Sequence, residues 1–139
     1  MSVEARPPDP SGPPPDYCCA VLIDGGRYLL ERRPADKADA PGRLTCFGGR
    51  REAEEDPGDC IRRELAEEIG FVPRLDPRPA HALYVDGRLI AWFWIGRLGP
   101  DDPAPTLEDG VECARLLPSE LGHPDLSSWH APILAACAP

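Results

Sequence analysis

Apolar residues in this chain fall in short runs broken by glycine, proline and charge, the rhythm of an alternating strand and helix protein. Residues 17–23 (YCCAVLI) are one such run, and DGGRYLLERRP carries it through a Gly-Gly turn into a second, which predicts a hairpin. DKADAPGR follows as a loop and LTCFGG as a short strand ending in glycines. PGDCIRRELAEEIG then has the period of a helix, with Pro57 near its start and Gly70 as its stop. AHALYVDGRLIAWFWIGRL predicts two strands about the Asp86-Gly87 turn. A Pro- and Asp-rich loop, a short strand over residues 112–117 and a helical WHAPILAAC complete the chain.

Residues 1–16 (MSVEARPPDPSGPPPD) hold little to bury and read as a disordered, Pro-rich tail. A Pro-rich ligand for a partner domain is the alternative to a plain solvated tail. Residues 17–139 are then the folded domain: a single α/β unit with a mixed β-sheet and helices packed on it.

The helix carries the chemistry. At about 100° per residue, Ile61, Leu65 and Ile69 form a buried stripe, and Glu64, Glu67 and Glu68 lie together beside it. Carboxyl groups crowded at the margin of a core must be protonated, paired or metal-bound, because unpaired burial costs several kcal/mol. Arg63 is expected to point away from the three glutamates, toward Glu55. A hard divalent cation suits an all-oxygen set, while a charged surface helix with ordinary i,i+4 pairs is the competing reading. Gly48 and Gly49, upstream, allow backbone to approach a ligand closely. Glu52, Glu54, Asp56 and Asp59 are expected to be solvating.

Composition narrows the partners. The 139 residues bound one domain, and a net charge of −9 with a pI near 4.7 argues against binding nucleic acid or an anionic membrane surface. A polyanionic small molecule fits only if a metal supplies positive charge. The six cysteines form no paired CxxC half-sites and no secretory signal precedes them, so reduced, mostly buried thiols in a cytoplasmic protein are expected. The longest apolar run, residues 89–95, is too short to span a bilayer.

Residues 49–71 read Gly49, five residues, Glu55, seven residues, Arg63-Glu64-Leu65, one residue, Glu67-Glu68, one residue, Gly70-Phe71. This pattern resembles a complete Nudix box, with Phe71 in place of the terminal aliphatic residue. Outside the box, RYLLERRPADKADAPGRLTCFGGR and AWFWIGRL are similar to strands of MutT-like nucleoside triphosphate pyrophosphohydrolases. The resemblance implies a Nudix-type α/β/α sandwich and a Mg²⁺-dependent hydrolase of a diphosphate linkage, with Mn²⁺ as an alternative ion. Its preferred substrate is a (d)NTP cleaved to NMP and pyrophosphate. A nucleotide sugar or another nucleoside diphosphate derivative is the alternative, and a non-catalytic nucleotide-binding module the rival of another class. The partner is a nucleotide small molecule, and the domain a monomer or homodimer.

By the same resemblance Glu64, Glu67 and Glu68 ligate the metal with a backbone carbonyl at the Gly48-Gly49 bend, Gly49 being the assigned residue. Glu55 and Arg63 tether the loop to the helix. Glu108 is the favoured general base, with Glu112 next. Arg33 and its neighbour Arg32 are candidates for phosphate contact, Trp129 for base stacking and His130 for base hydrogen bonding. Two departures argue against specificity for oxidised guanine: Phe47 stands where a proline is usual, and His130 where 8-oxo-dGTP enzymes carry asparagine.

Overall fold

A computed structural model describes residues 1–38 and 40–137; Asp39 of the expected loop and Ala138 and Pro139 at the expected domain end lie outside the described residues. The strands are β1 (Val3–Arg6), β2 (Tyr17–Asp24), β3 (Arg27–Arg32), β4 (Leu44–Thr45), β5 (Phe47–Arg50), β6 (Arg74–Leu75), β7 (His81–Val85), β8 (Arg88–Arg97) and β9 (Glu112–Leu116). The helices are α1 (Pro57–Ile69) and α2 (Ala131–Ala136), with a 3-10 turn at Pro118–Glu120.

One open sheet runs β1-β7-β8-β2-β3-β4, with β5 also on β2, β6 on β8 and β9 on β3. The β2–β8 pairing is parallel and the others are antiparallel, so the sheet is mixed as expected. Side chains alternate across β2. Cys18, Ala20 and Leu22 pack toward α1, whereas Cys19 and Val21 face the core that contains Ile133 and Leu134 of α2. That two-sided burial explains why residues 17–23 read as a continuous apolar run rather than an alternating one.

Helix α1 forms for local reasons. Asp56 caps it, accepting from the backbone N–H of Gly58 at 3.0 Å and Asp59 at 3.3 Å, and Gly70 closes it in the left-handed conformation. Asp56, expected to be merely solvating, thus has a structural task, and such a cap contributes about 1 kcal/mol. Ile61, Leu65 and Ile69 are fully buried against the sheet, each side chain contributing roughly 1.5–3 kcal/mol of apolar transfer.

Residues 3–6 and LTCFGG differ from expectation, and β6 is a short strand beyond those expected. Residues 3–6, placed in the Pro-rich tail, form β1 and pair with β7 in the register Val3↔Val85 to Arg6↔Ala82. The edge of β7 offers unpaired backbone groups, Val3 and Ala5 pack against the core, and the Arg6 guanidinium lies 4.4 Å from the centre of the Tyr84 ring. The single strand expected in LTCFGG is two: β4 pairs with β3 and β5 with β2, and the chain changes partner at Cys46.

Candidate active site

The switch from β4 to β5 brings the glycine pair beside α1. Gly48 sits opposite Cys19 and Gly49 opposite Cys18 on β2. Gly48 has φ 150°, and a Cβ there would run into the Cys18 carbonyl and Cys19. A Cβ on Gly49 would occupy the space of the Glu64 carboxylate. These two positions therefore let a helix carboxylate lie directly against strand backbone. Glu68 uses the same approach, accepting from the Gly48 N–H at 2.8 Å.

Arg63 is the hub of the polar cluster. Its Nε and Nη2 meet Glu55 at 2.8 and 3.0 Å, while Nη1 reaches Glu64 at 3.0 Å and Glu67 at 3.3 Å. It therefore bridges Glu55 and the helix carboxylates instead of pointing away from them, because its planar fork spans both sides. The Arg63 hydrogen bonds, helped by the Glu52 N–H, hold the Glu55 carboxyl down at about 2. Burial raises Glu64, with Arg63 opposing the shift. Burial, and then the charges of Glu31 and Glu64, push Glu68 up to about 9.

Glu31, absent from the sequence-derived set, is 7% exposed and within hydrogen-bonding reach of Glu68. Burial raises its pKa, with Arg33 opposing. A signal for it exists in RYLLER: period two puts Glu31 on the same buried face as Leu29, where a lone carboxylate is anomalous. As arranged in this structure, no three acidic, histidine or cysteine side chains among the described residues converge on a cation-sized point. Glu64 and Glu67 are drawn to Arg63, while Glu68 turns to Gly48 and Glu31.

A cleft of about 880 Å³ is bordered by Glu31 and the Gly48-Gly49 bend of this cluster. Its lining includes Glu31, Arg33, Gly48 and Gly49 together with Leu83, Ile90, Ala91, Trp129 and His130. Arg32 is engaged elsewhere, with Asp125 at 3.0 Å and the Gly42 carbonyl at 2.9 Å. Trp129 is 36% exposed, whereas His130 is partly buried, with Nδ1 accepting from the Cys46 N–H at 3.0 Å. Glu108 is exposed on the loop before β9, near enough for its charge to act on Glu31, and Glu112 is the exposed first residue of β9.

The NUDIX domain model matches residues 13–137. The chain belongs to the Nudix family. Nudix membership makes it a hydrolase of phosphoanhydride bonds, and the solved structures that it resembles share its fold. The solution structure of the Escherichia coli ORF135 protein is 28% identical, covering 86% of this chain and 85% of that one with a TM-score of 0.66. The MutT protein of Methanosarcina mazei Go1 is 17% identical, with coverage of 92% and 95% and a TM-score of 0.70. A nucleoside triphosphatase, NudI of Enterobacter sp. (strain 638), is 35% identical over 52 residues, a match spanning 37% of each chain. The Nudix box of this chain therefore sits on MutT-like architecture, with the box helix being α1. No helix among the described residues is long and apolar enough to cross a membrane.

Proposed function

We propose that this Nudix domain is a Mg²⁺-dependent nucleoside triphosphate pyrophosphohydrolase that releases NMP and pyrophosphate. One observation carries the reading: a single cleft is lined both by the glycine bend with Glu31 and Arg33 and by the apolar and aromatic side chains of Leu83, Ile90, Ala91 and Trp129, the two chemically unlike surfaces that a nucleotide needs. Arg33, Arg43, Arg50 and Arg88 in the cleft lining suit an anionic ligand, and a divalent cation would add to that charge.

The donor set fits a hard cation. Glu64 fills the space that Gly49 leaves, Glu68 is crowded by like charge, and all the side-chain donors are oxygen. Glu64, Glu67 and Glu68, with a backbone carbonyl at the Gly48-Gly49 bend, would hold Mg²⁺, or Mn²⁺ in its place. The ion would neutralise phosphate oxygens and lower the pKa of an attacking water. Arg63 and Glu55 keep the loop and α1 in register, and Arg33 draws the phosphates into the cleft. Glu108 is the favoured group for taking the water's proton, with Glu112 second.

Six free thiols suit a reducing cytoplasm. The test is hydrolysis of a broad panel of nucleotides and nucleotide sugars with Mg²⁺ or Mn²⁺, with products identified. NMP and pyrophosphate from a triphosphate is the expected result. Cleavage of nucleoside diphosphate derivatives alone would replace this substrate class, and no hydrolysis of any member would favour a binding module.

A further inference from the structure

The break between β4 and β5 leaves the Cys46 N–H outside both ladders, and this donor is given to His130 Nδ1 at 3.0 Å. A neutral imidazole has one donor nitrogen and one acceptor. With Nδ1 committed as the acceptor, the proton resides on Nε2. Phe93 packs edge-to-face on the ring, 5.2 Å between centroids at 85°, and holds its plane. Nε2 has no protein partner among the described residues and is not sealed from solvent, while the ring lines the cleft.

We infer that His130 is a specificity-determining residue whose fixed Nε2–H donor selects a base presenting a carbonyl oxygen to it, as in guanine, hypoxanthine or uracil, over one presenting an amino group. The inference rests on the nucleotide reading of the cleft and adds the class of base. His130 is bonded to Cys46, two residues before Gly48, and the ring and the glycine bend line the same cleft.

The donor cannot become an acceptor without losing the Cys46 bond. An exocyclic amine on adenine or cytosine would meet it donor to donor, while a keto oxygen completes the bond. Burial, and then the nearby Arg33 charge, hold His130 down at about 4, so the ring stays neutral at physiological pH. An asparagine in the same place would carry both a donor and an acceptor. His130 therefore narrows the choice of base rather than merely replacing one polar side chain by another.

The test compares kcat/KM within two pairs that exchange a keto for an amino group, ITP with ATP and UTP with CTP. The keto member of the better-used pair should lead by about 10–100-fold, the range expected when a buried donor is left unsatisfied. His130→Asn should shrink that ratio to about threefold or less, because the amide can present either group. Equal use by the wild type, an amino preference, or an unchanged ratio in the variant would overturn the inference.

Should the variant not fold, ¹⁵N–¹H NMR of the wild-type imidazole decides the tautomer. Nε2–H at pH 7 supports the inference, while Nδ1–H or imidazolium overturns it. A protein that turns over no nucleotide but shows the Nε2–H tautomer would defeat the nucleotide reading, not the tautomer assignment.

Discussion

Arg63 and Glu55 meet at two points, Nε to Oε2 at 2.8 Å and Nη2 to Oε1 at 3.0 Å, while the same guanidinium keeps Nη1 on Glu64. This fork ties the loop after β5 to α1 and restrains one of the carboxylates proposed as metal ligands. The pair is partly buried, and its two-point geometry fixes the position of both side chains, a bond that an isosteric amide at Glu55 would keep in part.

Glu55→Gln should accordingly spare the fold and impair catalysis. Without the Glu55 charge, Arg63 turns more fully to Glu64 and Glu67, and competes with a cation for them. We expect a fall of about 10²-fold in kcat/KM, the scale of a small misplacement at a reacting centre. The Mg²⁺ concentration for half-maximal activity should rise. Steady-state kinetics across a Mg²⁺ titration, with circular dichroism as the fold control, check both; wild-type kinetics would remove the positioning role.

Glu68 separates stability from function. Its folded pKa, about 9, exceeds the ordinary carboxyl value of 4.5. The stability linked to its proton is therefore full below pH 4.5 and is lost as pH rises toward 9. At pH 8 without metal, Glu68→Gln should melt above the wild type, by on the order of 1 kcal/mol. Added Mg²⁺ should raise the wild-type Tm more than the variant's, and Mg²⁺-dependent turnover should be lost. A variant that melts lower without metal, yet still turns over, contradicts the assignment.

The first strand is a further point of test. Ser2 and Asp86 exchange hydrogen bonds, Asp86 N–H to the Ser2 carbonyl and Ser2 N–H to the Asp86 carboxylate, both at 2.8 Å. Removing residues 1–6 deletes this clasp and the partly buried Val3 and Ala5. A loss of roughly 1–3 kcal/mol is expected in urea unfolding, together with faster amide exchange along β7. A freely solvated tail would produce neither change.

His130 should make the protein acid-sensitive. Its folded pKa of about 4 lies below the ordinary value of 6.5, so between these values the unfolded chain binds more protons. Stability is fully present above pH 6.5 and falls as pH drops toward 4. One ring edge faces the cleft and is partly screened by water, so the loss should be on the order of 2 kcal/mol. Urea unfolding of wild type and His130→Asn at pH 7 and pH 4.5 measures it. An equal decline in both would assign the sensitivity to other groups.

Helix α1 was legible in the chain because its information is local: the period of Ile61, Leu65 and Ile69, Pro57 at the start and Gly70 at the stop lie within one short segment. The Nudix spacing is local too, and so is the Asp86-Gly87 turn. Arg63 shows where locality ends. Helix geometry places its Cα, but a long side chain chooses among Glu55, Glu64 and Glu67 only after the loop has folded back.

The sequence by itself determined the β2–β3 and β7–β8 hairpins, the mixed sheet with helices and the carboxylate-bearing helix, since residue period and turn chemistry act between near neighbours. Tertiary structure decided which distant residues share the cleft. Glu31 reaches Glu68 because β3 and α1 meet on one face of the sheet, and β1 finds β7 because that edge is unpaired. His130 meets the Cys46 N–H across 84 residues of chain because the strand changes partners there and leaves a donor free. Such meetings depend on sheet register and packing, which no local window of sequence contains.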